Sequence, residues 1–502
     1  MVADALPPQK TTTPATTSEA RDADATRQEV ADALADPTAA FERYLAQRLG
    51  EAGAALARSS AADKLAPLSA VAAAAAAGAL PPSLRELVPA MGSSGAERAR
   101  RQAIFSANLR EASALNAAAL RDARARNQNP ADAPVYGLTD YSHLTRDEFR
   151  RMYLGRPFAQ IQSGASGEEA AAAAAAVAAT SAAPDEAAAA GEAAAAAATA
   201  AASAAAAPGE AAAAGEAAGA SAASASAGPG TRRRRRARRA LAQAPPLPPF
   251  HCGKEVAFPH ARASVPSRHD WRNVRGVAYV TPVRSQGSCG SCAAFAVAAV
   301  LEAVSIRRVL AARRRRGAAA AAAAPPVAEA ADLAESDFLD CWDPSTDQCE
   351  GAMPSWYLDR AVCKGVASER DVPYAARDGN ACAAVARDTL GLKGWFQVPV
   401  TERALKQAVF HGPVAVGIRA GGGALGLYQG GVIPCGTLAD VKGYVDHAVT
   451  IIGWDAGSFI AKNSWGTGWG EGGYLRLASG CAKGESALNM LTDGGYNVAA
   501  RT

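Results

Sequence analysis

The stretch Gln286-Gly287-Ser288-Cys289-Gly290-Ser291-Cys292 runs straight into an unbroken apolar series from Ala293 to Leu301. Glycines and small polar residues make a loop. Nine consecutive apolar residues make a helix buried on all sides, so loop and helix meet at Cys292. A thiol at that junction faces the positive end of the helix dipole, which favours thiolate over thiol. Gln286 offers a side-chain N–H to a developing oxyanion. A cysteine nucleophile also needs a base, and the loop contains none.

The rest of the chain divides sharply by composition. All seven tryptophans lie beyond Pro266, and eight of the nine cysteines lie between Cys289 and Cys481. Clustered cysteines suggest disulfides plus one reactive thiol in an oxidising compartment. Residues 1–90 are alanine-rich and poor in aromatics, and are expected to be disordered or loosely helical; within them Phe41, Tyr44, Leu45 and Leu49 fit one amphipathic turn pair. Residues 163–247 are Ala/Gly/Ser/Glu repeats that end in the Arg232–Arg239 run and Pro245–Pro249, which reads as a linker, flexible and then stiff. The formal net charge of +4 includes seven arginines of that run and four at Arg313–Arg316, so the remainder is acidic. The linker run lacks the interleaved aromatics of a nucleic-acid site and suits a spacer or a processing site. Met1–Val30 has no apolar core of a signal peptide, and the alanine-dominated Leu65–Leu80 is short for a membrane span.

Between these tracts, Glu97, Arg101, Phe105, Asn108, Ala112 and Asn116 fall on one helical stripe of mixed polar and aromatic character. Tyr136–Leu144 alternates like a short strand, and Thr145 with Glu148 makes a capping box that opens another helix. Downstream, Ala293–Arg308 and Ser355–Cys363 read as helices, whereas Val414–Ile418, Ala448–Trp454, Phe459–Ala461 and Tyr474–Leu477 read as strands. An α-rich half followed by an antiparallel β-rich half gives an α+β plan with a cleft between them, interrupted by an exposed loop insertion at 313–324.

Two segments of the β-rich half answer the cysteine. Asp446-His447 opens an apolar strand, and Lys462-Asn463-Ser464-Trp465-Gly466 forms a Gly/Trp-rich turn between two others. Histidine can take the thiol proton. An asparagine carbonyl can fix the imidazole tautomer without adding charge, and a nearby indole can shield that bond from water. Cys289-Gly290-Ser291-Cys292 by itself also fits a redox pair, and Cys289 and Cys292 with Cys341 and Cys349 could ligate zinc. The preceding Gln286 and the later His447 and Asn463 favour nucleophilic catalysis over both.

These motifs resemble those of the papain-like cysteine peptidases, and Glu97–Asn116 with Tyr136–Phe149 resembles the inhibitory pro-domain of their cathepsin-L-like members. Cys292 to His447 spans 155 residues and Cys292 to Asn463 spans 171, slightly beyond the roughly 130–150 of the family signature. The resemblance covers about 91–155 and 262–490. It implies a two-lobed α+β fold, with an α-rich lobe and a barrel-like β lobe behind a helical pro-domain. The implied organisation is 1–90 low-complexity, 91–157 pro-domain, 158–261 linker and 262–502 peptidase. It implies Cys292 as nucleophile, His447 as base and then acid, Asn463 as its orienter, and Gln286 with the Cys292 N–H as oxyanion hole. Substrate backbone would lie along Gly290 and Gly351, a pocket of Met353, Pro354, Gly417 and Ala448 would take an apolar side chain, and Trp465 would cover the Asn463–His447 bond. The implied disulfides are Cys289–Cys349, Cys341–Cys382 and Cys435–Cys481, leaving Cys252 and Cys363 unpaired.

The resemblance further implies a thiolate–imidazolium pair and a secreted or lysosome- or vacuole-like location for a monomeric endopeptidase of general protein catabolism. Its partners would be protein or peptide substrates and its own pro-domain. No cofactor, metal, nucleic acid or membrane is expected. Several residues depart from the family pattern: Ala293 in place of an aromatic, Ala352 and Glu350 in the substrate-binding strand, Ala112 in the inhibitor helix, and Thr139, Tyr141 and His143 in the second pro-motif. Ala293 and Ala352 motivate the alternative of a catalytically weak or inactive peptide-binding module.

Overall fold

The computed structural model describes residues 16–58, 95–158, 161, 254–260, 262–316, 326–342, 347–379, 381–421, 423–436, 445–482, 484–492 and 494–500. The chain divides into two units, Met1–Phe158 with Pro248–Thr502, and Ala159–Leu247, and every element named below belongs to the first. The 163–247 tract with its arginine run, Leu65–Leu80 and Cys252 lie outside the described residues.

Among the described residues the fold begins with three helices: α1 (Thr16–Ala35), α2 (Pro37–Arg58) and α3 (Gly95–Ala125). Val30 and Ala33 of α1, Phe41, Tyr44 and Leu45 of α2, and Phe105, Leu109 and Ala112 of α3 are buried in one apolar core. The Phe105 ring lies 5.3 Å from Phe41 and 5.0 Å from Tyr44. The reading of 1–90 as disordered or loosely helical therefore gives way over 16–58 to two packed helices. Each is too sparsely apolar to fold alone, and each completes its core only on α3, more than thirty residues further along the chain.

The polar stripe of α3 faces the loop that follows it. Asn108 Nδ2 donates to the carbonyls of Ser142 and Leu144, each at 2.9 Å, and Asn116 exchanges two hydrogen bonds with the Tyr136 backbone. Arg101 pairs with Glu97 and with Glu148. The strand expected over 136–144 shrinks to β1 (Val135–Tyr136), because the Thr139 and Ser142 side chains hydrogen-bond local backbone N–H groups and turn the chain. The capping box opens α4 (Arg146–Tyr153): Thr145 Oγ1 accepts from the Glu148 N–H, and Glu148 Oε2 accepts from the Thr145 N–H.

The C-terminal domain places α5 (Cys292–Arg316) against α6 (Pro354–Lys364) and the short helix Glu335–Asp340. Disulfides Cys289–Cys349 and Cys341–Cys382 tie this α-rich part together. The β-rich part is a sheet in the order β3 (Leu392–Val398), β10 (Gly495–Ala500), β4 (Val414–Ile418), β7 (His447–Trp454), β8 (Ser458–Lys462), β9 (Tyr474–Ala478) and β6 (Val432–Ile433). β2 (His269–Asp270) also pairs with β7. The pairs are antiparallel except β6 with β9. Helix α7 (Glu402–His411) packs on this sheet, and Cys435–Cys481 closes its far side. Separately, β1 pairs with β5 (Tyr428–Gly430), which joins the N-terminal region to this domain.

Three expectations change. Arg313–Arg316 continue α5 instead of starting an exposed loop. Residues 254–256 hydrogen-bond to Trp395 of β3, so this part of the supposed 158–261 linker belongs to the folded domain. Cys363 is disulfide-bonded, not unpaired. Because Phe105 joins α2 to α3, Phe105→Ala should destabilise the N-terminal helices by about 3–5 kcal/mol. Hydrogen exchange of the full chain should show faster exchange over 23–48 than over the sheet; unchanged protection there would contradict the shared core.

Candidate active site

Backbone pairing brings the motifs together. The Gln286 N–H donates to the Ser464 carbonyl at 2.8 Å, and the Gly466 N–H to the Arg284 carbonyl at 3.0 Å, so the cysteine loop and the asparagine turn are joined edge to edge. Beside them the Gly290 N–H donates to the Cys349 carbonyl at 2.7 Å; a Cβ on Gly290 would lie 2.3 Å from that oxygen, so only glycine fits. Gln286 is fully buried. Its Oε1 accepts from Ser464 Oγ at 2.6 Å, which aims Nε2 at the cleft, where it donates to the carbonyls of Cys289 (2.8 Å) and Tyr153 (3.1 Å).

His447 begins β7, and its Nε2 lies 2.8 Å from Asn463 Oδ1. Because Oδ1 also accepts the Ser464 N–H at 2.8 Å, it is the oxygen that faces the ring, and the imidazole carries its proton on Nε2. Nδ1 is left buried with no protein hydrogen-bond partner, its lone pair available for a proton. The Trp465 ring stacks on the imidazole at 4.6 Å and 28°. Cys292 is buried at the N-terminus of α5 and is the free thiol among the described residues.

Why the thiol is buried is evident from what lies over it. Residues 154–158 thread the cleft between the two halves. The Gly155 N–H donates to the Asp446 carbonyl at 3.2 Å, the Arg156 N–H to the Glu350 carbonyl at 2.6 Å and the Phe158 N–H to the Val445 carbonyl at 2.8 Å. Gly155 passes so close to Gly290 and Gly351 that a Cβ on it would lie 3.0 Å from the Gly351 Cα. Phe158 covers Gly417, whose missing side chain leaves room for this ring and Val445. The expected pocket residues Met353, Pro354, Gly417 and Ala448 are all buried.

Upstream of the strand, Phe149 meets the Trp465 indole edge-on at 5.0 Å, Tyr141 and Tyr153 pack beside it, and the Tyr141 hydroxyl donates to the Trp465 carbonyl at 2.6 Å. Departures from the family pattern thus find partners. Glu350 forms an ion pair with Arg156 at 3.2 Å, and Thr139 Oγ1 donates to the Gly426 carbonyl at 2.7 Å. Ala293 is fully buried, so an indole in its place would have to displace neighbours. Sequence reasoning missed Phe158, Arg156 and Tyr374. The Tyr374 hydroxyl lies 2.6 Å from both the Gln286 carbonyl and Ser291 Oγ and pins the cysteine loop from the other side.

Burial sets the electrostatics. It pushes the Cys292 thiol up to about 12, and pushes His447 down to about 4 against the opposing pull of Asn463. The expected thiolate–imidazolium pair is therefore replaced, with residues 154–158 in place, by a neutral thiol and a neutral imidazole. Burial also raises the Asp446 carboxyl to about 7, although Oδ1 accepts the Ala420 N–H at 2.8 Å. Among the described residues no cluster of His, Cys, Asp and Glu is arranged to hold a metal ion.

Comparison with known proteins places this geometry. The model of the papain family cysteine proteases matches residues 265–491. Mexicain of Jacaratia mexicana is 35% identical over 228 residues, which cover 44% of this chain and 92% of that protein. The chain belongs to the papain family of cysteine proteases. A probable cysteine protease of Arabidopsis thaliana, RD21C, is 33% identical over 224 residues, covering 43% of this chain but only 44% of that protein. Among solved structures, digestive procathepsin L 3 of Tenebrio molitor aligns over 81% of this chain and 93% of its own, at 19% identity and a TM-score of 0.48.

For this papain-family site, the His447 ring in the intact chain should stay neutral until the pH falls to about 4. Nitrogen chemical shifts of labelled histidine, with the His447 signal assigned by its loss in His447→Ala, should show that ring titrating there, beside His260, which burial and His411 also push down to about 4. A His447 midpoint near 6.5 in the intact chain would contradict the burial argument.

Proposed function

We propose that the chain is the zymogen of a papain-like cysteine endopeptidase. The observation that carries this reading is the strand 154–158 hydrogen-bonded across the cleft over Cys292, as a peptide would be. Cys292 is the nucleophile, and His447 Nδ1 takes its proton while Asn463 holds Nε2–H and Trp465 shields that bond. The thiolate attacks a substrate carbonyl, and the developing oxyanion accepts from Gln286 Nε2–H and the Cys292 N–H. The imidazolium then protonates the departing amine, leaving a thioester. A water, deprotonated by His447, hydrolyses the thioester and restores the thiol. No cofactor or metal enters these steps.

Substrate backbone runs along Gly290 and Gly351, and the pocket of Met353, Pro354, Gly417 and Ala448 takes a large apolar side chain, with Phe158 as its stand-in. Tyr153 lies at the oxyanion donor and Phe158 at this pocket. A substrate with its acyl side in the pocket would therefore run the opposite way, so the inhibitory strand presents no peptide bond in attackable orientation. Residues 16–158 act as the pro-domain and intramolecular inhibitor, and those from about 254 onward as the peptidase domain. We assign the enzyme to general protein catabolism in a lysosome- or vacuole-like or extracellular compartment, as a monomer without nucleic-acid or membrane partners. Three disulfides support the oxidising setting, and no helix among the described residues is long and apolar enough to cross a membrane.

Two of three titrating groups favour release in acid. The closed form disfavours protonated His447, so its stability declines as the pH falls from 6.5 toward 4. Burial pushes Glu148 up, but the Thr145 N–H and Arg101 outweigh it and hold this carboxyl at about 2; its contribution is present above 4.5 and lost below. Asp446 opposes them, contributing most below 3.8 and losing that as the pH rises through 7. At neutral pH the full chain should resist labelling by an epoxide warhead. After incubation near pH 4 it should be labelled at Cys292 and hydrolyse peptides, and Cys292→Ala should do neither. An acid-treated protein that stays unlabelled would refute the peptidase reading. Substrates with Phe or Leu in the pocket position should exceed those with Asp by at least ~10-fold in kcat/KM. Equal rates would refute the pocket assignment.

A further inference from the structure

Of the described cysteines, Cys382 is the exposed one, whereas its disulfide partner Cys341 is buried. Their two sulfurs share a cation. Arg387 Nη2 donates to Cys341 Sγ at 3.1 Å and to Cys382 Sγ at 3.4 Å. Asp337 fixes this guanidinium, accepting from its Nε at 3.0 Å and its Nη2 at 2.7 Å, and the Ala383 carbonyl accepts from it at 2.9 Å. Arg360 of α6 pairs with Asp337 Oδ2 at 3.2 Å and donates to the Cys341 carbonyl at 3.4 Å.

Two guanidinium groups thus share one carboxylate beside a buried sulfur. Asp337 Oδ1 stands 3.3 Å from Cys341 Sγ and would repel a thiolate there, but both arginines already pair with that carboxylate. One positive charge is in excess. Burial, opposed by Asp337 and aided by Arg387, lowers the Arg360 pKa, as such an excess requires. A thiolate released at Cys341 would balance it. A neighbouring cation lowers a thiol's pKa, and a thiol of lower pKa leaves a disulfide faster. Among the described residues no cation hydrogen-bonds to a sulfur of Cys289–Cys349 or Cys435–Cys481. The stretch of chain that carries Cys382 also reaches the cysteine loop. Tyr374 on it lies 2.6 Å from both the Gln286 carbonyl and Ser291 Oγ, and Asp378 accepts the Gln348 N–H at 2.6 Å.

We propose that Cys382 is a modification site: a dithiol reductant attacks its sulfur, opens the Cys341–Cys382 disulfide, and so loosens the hold of Tyr374 on the loop that carries Cys292. A thiolate of the reductant bonds to Cys382 Sγ. The bond between the two protein sulfurs breaks, and its electron pair goes to Cys341 Sγ, beside Arg387. The second thiolate of the reductant then displaces Cys382 and closes a disulfide within the reductant. The protein gains two electrons from the dithiol. Of the dithiol's two protons, one passes to Cys382 and the other to solvent, leaving Cys341 as the thiolate.

Timed exposure of the full chain to dithiothreitol, trapped by alkylation and read by peptide mapping, tests it. Cys341 and Cys382 should be labelled at least about tenfold faster than Cys289, Cys349, Cys435 and Cys481. Equal or slower labelling overturns the proposal. With glutathione as the probe, the mixed disulfide should sit on Cys382; glutathione on Cys341, or on neither sulfur, overturns the direction of attack. Arg387→Met should slow the opening by about tenfold, and Arg387→Lys should restore most of the rate. An unchanged or faster opening in Arg387→Met, as a merely bracing role would give, overturns the part assigned to its charge. Should that variant fail to fold, the order of opening and the sulfur that takes glutathione decide. In the opened and alkylated chain, the amides of 286–291 should lose protection from hydrogen exchange. Retained protection overturns the link through Tyr374.

Discussion

The Trp465 indole is the contact on which the arrangement turns. One face stacks on the His447 ring and keeps water from its hydrogen bond to Asn463. Its edges meet Trp469 at 4.9 Å and, from the N-terminal region, Phe149 at 5.0 Å. The same ring therefore orders the His447–Asn463 pair and anchors the N-terminal segment laid over it. Aromatic pairs of this kind contribute about 0.5–1.5 kcal/mol each beyond the area they bury, and here several converge on one buried side chain. The position of α4 and the course of the strand after it follow from that anchor.

Burial is the second constraint, and it acts on charge. A thiolate and an imidazolium stabilise each other when solvent and substrate dipoles surround them. Beneath a peptide strand with no counter-charge, the neutral forms win. Residues 154–158 thus lie across the cleft and go with a thiol and an imidazole that burial keeps neutral. Under the same two loops lies a part-buried charged group: Arg284 with Asp332, Glu369 and the buried Glu335, and Lys462, which donates to Thr281 Oγ1 at 3.0 Å. Burial and neighbouring carboxylates, against the pull of Arg284, push Asp332 up to about 7 and Glu335 well above its ordinary range. Arg284 lies two residues before Gln286 and Lys462 one before Asn463, so the loops that carry the donors are rooted in this cluster.

Gln286, Cys292, His447 and Asn463 were legible in the sequence because each sits in a short motif whose own neighbours dictate its geometry. The capping box at Thr145 and strands β4, β7, β8 and β9 were legible for the same reason, their signal being contained in a few consecutive residues. Helices α1 and α2 were not, since Val30, Phe41 and Tyr44 gain their meaning only against Phe105. Phe158 is an isolated aromatic at the start of an alanine-rich tract, and no local pattern marks it. Glu350 and Tyr141 stood out as departures, but their partners, Arg156 and the Trp465 carbonyl, come from elements brought near only by folding. Cys363 was read as unpaired because a family pattern counts only the bonds that its members share.

Strand β1 is two residues long, yet its pairing with β5 has a consequence for the domain it leaves. While the N-terminal region stays in place, the backbone of Tyr428–Gly430 has a partner strand. β1 and β5 make a two-stranded sheet of their own, so departure of that region leaves the segment a single extended strand with an unpaired edge. The edge is only three residues long and ends at Gly431, whose φ of 81° turns the chain away. A short, bent edge offers little template for another strand, so separating the two parts does not create an adhesive surface.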